Sequence, residues 1–206
     1  MATMDTLQRH PMVRDFPALD MALRSVATPN NQRLKDLRAI LGRETAFQGL
    51  AAALMVLDAR LIVQGPRGER EISAGHYMSP EGLGLAPGEA PVGFYLAEAG
   101  RYSSGYQSVG YLRSGQAVCG VAAWARKSDD TLEEVRIVLS GCTPVPIPLH
   151  RVSAALAGKE CTVRGIEEAT LRLGEERLRL YNPSLTLGSH LFNLAKTLIR
   201  RAVLTL

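Results

Sequence analysis

Residues 118–158 limit the possible folds of this chain more than any other stretch. They read VCGVAAWARKSDDTLEEVRIVLSGCTPVPIPLHRVSAALAG. The small, apolar run from Val118 to Arg126 predicts a strand, and the polar Lys127–Asp130 predicts a turn. Over Thr131–Ser140 the residues alternate. Val135, Ile137 and Leu139 point one way and Glu134, Arg136 and Ser140 the other, the pattern of a strand with one buried face. Gly141 and the prolines at 144, 146 and 148 forbid regular structure next. Leu149, Val152 and Leu156 then recur at helical spacing, with Gly158 as the stop. The unit is a hairpin, a proline corner and a helix. By itself it is a packing module and carries no catalytic chemistry. The small side chains at Gly120, Ala122 and Ala123 predict that a helix approaches the first strand closely.

The rest of the chain predicts an α+β fold. Residues 1–14 read as an irregular lead-in. Pro17 opens an amphipathic helix with Leu19, Ala22, Leu23 and Val26 inward, ended by Thr28-Pro29. Leu34, Leu37, Ile40 and Leu41 mark a second short helix. Thr45 caps a third, with Phe47, Leu50, Ala51, Leu54 and Leu57 on its inner stripe. Leu61–Gln64 and Arg70–Ser73 form a hairpin around Gly65-Pro66-Arg67-Gly68. Residues 74–91 are a loop-rich connection. Strands are expected at Val92–Ala97 and Tyr106–Leu112, a helix at Ile166–Leu173 and a short strand at Leu178–Tyr181. Ser189 caps the last helix, with Leu191, Leu194, Ala195, Leu198 and Ala202 inward and Arg200 and Arg201 near its end. No internal repeat is visible. The expected architecture is helices on a small, mostly antiparallel sheet over residues 1–98. A three-stranded antiparallel sheet backed by about three helices follows over 99–206.

Composition removes several classes of function. The 24 Lys and Arg against 20 Asp and Glu give a net charge of +4, and the basic residues are scattered. No arm for nucleic acid is therefore expected. Cys119, Cys142 and Cys161 lie far apart without a Cys-x-x-Cys pair, which argues against a zinc knuckle or an iron–sulfur cluster. They are expected as reduced, buried thiols of a cytoplasmic protein. No apolar run is long enough to span a membrane, and MATMDTLQRHPMVRD lacks the apolar core of a signal peptide. His10, His76, His150 and His190 are dispersed, and neither a Gly-x-Ser-x-Gly elbow nor a P-loop occurs. Gly82-Leu83-Gly84 sits in a proline-containing loop, not at a helix start. Within the loops, His76-Tyr77 is the most chemically suggestive pair. The residues themselves name no catalytic group and no metal ligand.

The 118–159 phrase resembles the C-terminal domain of the FAD-binding medium subunit of molybdenum hydroxylases, the carbon monoxide and xanthine dehydrogenase type. The matching pieces are Gly120–Ala123, Val135–Pro146 and Ala154–Lys159. Earlier segments resemble the same family in the same order. They are ALRSVATP at 22–29, ALMVLDA at 53–59, GPRGER at 65–70 and LAPGEA at 85–90, and Leu198–Ala202 matches the closing helix. The resemblance spans residues 17–206. It implies a truncated FAD-binding middle subdomain (1–98) and a flavoprotein C-terminal domain (99–206).

In the family, FAD is held by two glycine-rich loops. The resemblance implies that this chain starts after the first. The second, an "Ala-Thr-Ile-Gly-Gly-Asn" type loop, falls on Lys35, Asp36, Leu37, Arg38, Ala39 and Ile40, so both glycines are replaced. A close backbone approach to pyrophosphate needs bare glycine. Asp36, Leu37, Arg38, Ala39 and Ile40 are therefore the former cofactor position, expected to have become a short helix over the vacated site. A later acidic family position is Gln116.

The resemblance implies an oxidoreductase-family subunit that is non-catalytic alone and binds no FAD autonomously. Its expected role is assembly or regulation beside molybdopterin and iron–sulfur subunits, and a homo-oligomer is allowed. Two alternatives remain open here: an electron-transfer subunit completed by a second polypeptide, and a stand-alone interaction domain.

Overall fold

The 118–140 hairpin forms the centre of the larger of two antiparallel sheets in the computed structural model, which describes residues 4–26, 47–79, 84–97, 100, 102–110, 117–180 and 190–206. In the smaller sheet, β1 (Arg60–Gly65) lies between β2 (Gly68–Ser73) and β3 (Ala90–Tyr95). The larger sheet runs β4 (Ser103–Gly110), β5 (Ala117–Ser128), β6 (Thr131–Ser140) and the two-residue β7 (Ile147–Pro148). The two-residue β8 (Lys159–Glu160) pairs with the start of β6. Helices α1 (Met4–Arg9), α2 (Pro17–Val26), α3 (Gln48–Val56) and α4 (Ala74–Tyr77) precede β4. Helices α5 (His150–Leu156), α6 (Val163–Thr170) and α7 (His190–Leu204) follow β6. The fold is α+β with antiparallel sheets, as predicted.

The register of the large sheet sorts its side chains onto two faces. Tyr106, Ala122 and Val138 share one row; Ser104, Trp124 and Arg136 lie beside them, as do Ser108, Gly120 and Ser140. This face meets α2 and α3. Val121, Ala123, Ala125, Val135, Ile137 and Leu139 point the other way, into a core shared with α5, α6 and α7. The expectation of one buried face is thus corrected. Strand β5 is buried on both faces from Cys119 to Ala125, as is β6 from Ile137 to Ser140. The sequence alternation shows only which residues share a face; helices from the first half cover the second.

Local chemistry explains the elements that pack here. Pro17 has no N–H and opens α2 at a position where an N–H would have no partner within the helix, and the Ser104 hydroxyl of β4 accepts the next free amide, Ala18 N, at 3.2 Å. On that edge strand the Tyr106 N–H reaches the Met21 sulfur of α2 at 3.4 Å. Helix α3 departs from its predicted single inner stripe. Every residue from Gln48 to Val56 except Met55 is buried, because the helix is wedged between α2 and the large sheet. A helix apolar all round belongs in such a position. Asp129, at φ 51°, makes the tight turn between β5 and β6, and Gly158, at φ 77°, ends the α5 segment.

Other expectations change in detail. The lead-in contains α1 and a 3-10 turn at Pro11–Asp15 that buries Val13. The 74–91 connection begins with α4, capped by the Ser73 hydroxyl. The proline corner is not wholly irregular. Ile147 and Pro148 pair with Leu139 and Val138 at the outer side of β6, where an edge tolerates proline. The predicted Ile166–Leu173 helix starts at Val163, capped by Thr162, and passes into a 3-10 turn at Leu171–Glu175. Residues 178–180 form no strand. The predicted helix at 34–41 and the Ser189 cap lie outside the described residues. Among those described, no helix is long and apolar enough to cross a membrane.

One ion pair fastens the loop before β3 onto the small sheet. Arg70 on β2 grips the Glu89 carboxylate at 3.0 and 2.6 Å, and Ala86 N donates to it at 2.7 Å. The Arg70 hydrogen bonds, then the Ala86 amide, hold the Glu89 carboxyl down from 4.5 to about 2. A depressed folded-state value contributes stability above the unfolded value, lost as pH falls through the folded one. Stability is therefore expected to fall between pH 4.5 and about 2. Chemical denaturation across that range should give a flatter profile for Glu89→Gln, and an unchanged slope would contradict the assignment.

Candidate functional site at the seam between the sheets

The residues singled out from the sequence as the former cofactor position, Asp36, Leu37, Arg38, Ala39 and Ile40, lie outside the described residues, as does Gln116. The described chemistry gathers where α3 meets the proline corner. Gln48, first residue of α3, is buried among apolar neighbours. Its side-chain amide donates to Thr143 O at 3.0 Å and Pro144 O at 2.9 Å, and its Oε1 accepts Gly141 N at 2.8 Å. One side chain thus satisfies backbone groups of a corner that cannot satisfy them within a strand. Gly141 adopts φ 83°, and a Cβ there would meet Ala117 O at 2.7 Å, so the corner needs glycine on both counts.

Beside this clamp the Tyr106 ring inserts between two glycines. A Cβ on Gly49 of α3 or on Gly120 of β5 would each lie 2.3 Å from the Tyr106 hydroxyl. That hydroxyl is buried without a hydrogen-bond partner among the described residues. Burial pushes the phenol up, against the weaker effect of the Ser140, Ser108 and Ser25 hydroxyls around it. Two of the three cysteines, Cys142 in the corner and Cys119 on β5 beside it, stand together, and Cys161 lies at the other end of β6. Cys119 and Cys142 are buried free thiols in mutual contact, and that contact, then burial, pushes Cys119 up. Cys161 is only half-buried, its sulfur 3.7 Å from Val203 O, which corrects the expectation that all three are buried.

The outer side of the corner opens into a pocket of about 370 Å³. Met55 of α3 and the Pro144–Pro148 segment form an apolar wall, and Gly75 of α4 borders it. Arg177 and Arg179 line the opposite side, with His150 beside them. His76-Tyr77 divides in the structure. Tyr77 is buried in the core, and His76 is exposed outside this pocket. No group of three His, Cys, Asp or Glu among the described residues is arranged to hold a metal.

Sequence reasoning missed Gln48, Tyr106 and the two arginines. A lone polar residue in the apolar run FQGLAAAL was the available signal for Gln48. For Arg177 and Arg179 it was their alternation with Leu178 and Leu180.

Two stability predictions follow from these contacts. Gln48→Leu leaves the Gly141 N–H and two carbonyls unpaired, and urea denaturation should show a loss of about 3 kcal/mol. Tyr106→Phe removes a hydroxyl that burial desolvates without return, so it should be neutral or stabilising by up to about 1 kcal/mol. A loss above about 2 kcal/mol would mean that the hydroxyl is paired.

Residues 112–206 match the family model of the CO dehydrogenase flavoprotein C-terminal domain. Solved structures extend the likeness to the whole chain. Carbon monoxide dehydrogenase from Hydrogenophaga pseudoflava lacking the Mo-pyranopterin moiety superimposes at TM-score 0.80, with 20% identity, over 98% of this chain and 71% of that one. Quinoline 2-oxidoreductase from Pseudomonas putida 86 gives 0.84 and 20% identity over 100% of this chain and 72% of that one. Reconstituted CO dehydrogenase from Oligotropha carboxidovorans gives 0.80 and 16% over 98% and 72%. At these identities the structures speak for the fold, while the family model speaks for the sequence of the second half. Residues 112–206 thus match the CO dehydrogenase flavoprotein C-terminal domain in sequence, and the chain as a whole shares the fold of the solved CO dehydrogenase and quinoline 2-oxidoreductase chains.

Proposed function

We propose that this chain is a cytoplasmic assembly or regulatory subunit of a molybdenum hydroxylase-type complex, and that it binds no FAD on its own. The observation that carries the reading is a frame of the flavoprotein type with Arg38 and Ala39 where the resemblance places paired glycines. Pyrophosphate binding by a backbone loop needs amides brought close, with no Cβ between.

The described seam supports this reading, because its own glycines are committed elsewhere. Gly49 and Gly120 accommodate Tyr106, and Gly141 donates its N–H to Gln48. Nor does the proline wall of the corner pocket offer a backbone cradle for a pyrophosphate. Pro144, Pro146 and Pro148 stand along it, and proline has no N–H to donate. FAD, when bound in a complete subunit, supplies electron transfer between a donor and an acceptor. This chain's residues are assigned the other task, presenting a rigid two-sheet body to the molybdopterin and iron–sulfur subunits.

Co-expression with the neighbouring reading frames, followed by purification and a visible absorbance spectrum, tests the proposal. The expected outcome is co-purification with molybdopterin or iron–sulfur subunits and no flavin on this chain. Arg38→Gly with Ala39→Gly should not restore flavin. Stoichiometric FAD on the isolated chain overturns the reading. Flavin that appears only with a second polypeptide favours an electron-transfer subunit completed in trans. Recovery without redox subunits favours a stand-alone interaction domain.

A further inference from the structure

We propose that the pocket at the proline corner is a binding site for a small organic anion with an apolar body, an aromatic or branched carboxylate. Its volume of about 370 Å³ falls within the range of small-ligand pockets, and it lies where elements of both halves meet. One wall is Met55, Val145 and Ile147 with the corner prolines, all without charge. Proline and the β-pairing of Ile147 with Leu139 make that wall stiff, so it is formed before any ligand arrives.

Among the described residues, two cations and no acid stand along the other side. Residues 177–180 alternate: Leu178 and Leu180 pack onto the C-terminal core while Arg177 and Arg179 are exposed and line the pocket. The packed leucines set the direction of the arginines. No carboxylate lines the pocket, and neither arginine has an ion-pair partner among the described residues. The nearby acids in sequence are committed. Glu175 pairs with Arg172 and Arg151, and Glu176 accepts the Arg151 and Val152 amides at 2.7 and 3.1 Å. Two guanidinium groups beside an apolar wall select an anion, and their planar forks suit a carboxylate. The apolar wall rewards a body that inorganic anions lack.

Nothing in this site depends on the assembly role. Gly75 borders the pocket, and a Cβ added there meets nothing within 4 Å, so a larger side chain can enter the space without disturbing the core.

The test uses the full chain with methyl-labelled methionine and benzoate as the probe, followed by NMR titration. Benzoate is expected to bind with Kd of about 1 mM and to shift the Met55 methyl. Arg177→Ala with Arg179→Ala should weaken it at least about tenfold, the loss of one decade per 1.4 kcal/mol. Gly75→Leu should abolish it with the thermal unfolding midpoint unchanged, a second variant that leaves the arginines in place. Benzamide and inorganic phosphate should each bind at least about tenfold more weakly than benzoate. Equal binding of benzamide overturns the role of the arginines, and equal binding of phosphate overturns the role of the apolar wall. No benzoate shift up to about 20 mM overturns the site.

Discussion

Strand β5 lies between two cores, and the space on either side of it dictates its composition. From Cys119 to Ala125 its residues are small, save Val121 and Trp124, because helices close on both faces. On one face Gly120 and Ala122 leave room for the Tyr106 ring and, through it, for α3. On the other, Val121, Ala123 and Ala125 meet the C-terminal helices. A larger side chain at Gly120 would strike both the Tyr106 and the Ser140 hydroxyls. Protein interiors are packed too tightly to absorb such a change without strain. Where the cores thin out, chemistry changes: Trp124 sits under the Arg136 guanidinium at 4.4 Å and beside Tyr102.

Because β5 joins the halves, the polar requirements of one half are met by the other. The corner at 141–148 contains prolines and a glycine with positive φ, so its backbone cannot complete a ladder by itself. Gln48 completes it from a helix 93 residues earlier. The same economy appears at α2, whose first free amide is capped by Ser104 of β4 rather than by a residue of its own turn. These bonds fix α2 and α3 against the large sheet. The apolar contacts around them hold the halves together, since burying a large aliphatic side chain contributes about 1.5–3 kcal/mol.

The fold shared with CO dehydrogenase and quinoline 2-oxidoreductase chains gives this architecture a context without fixing its chemistry. A fold can be retained while a binding loop is replaced, because the sheet core and the loop depend on different residues. Here the frame rests on β5, β6 and α3, whereas the cofactor loop that the sequence resemblance implies falls on 36–40. The corner pocket draws on a third set, in which only Met55 belongs to the core-forming helix α3.

Much of this was legible in the sequence. The alternation in 131–140 gave the strand and its two faces, the leucine spacing at 149–156 gave the helix, and Gly158 its end. These signals are local: they need only the period of a side-chain pattern and the φ preference of glycine or proline. The resemblance supplied the order of the two sheets. The sequence could not show that β5 is buried twice over, since one strand's pattern does not reveal what will cover its second face. It could not pair Gln48 with Gly141, nor bring Arg177 and Arg179 against Met55, because those partners are distant along the chain and become neighbours only when the halves close. Residue periodicity determined the elements; tertiary packing determined which polar groups were left to meet each other and where a pocket remained.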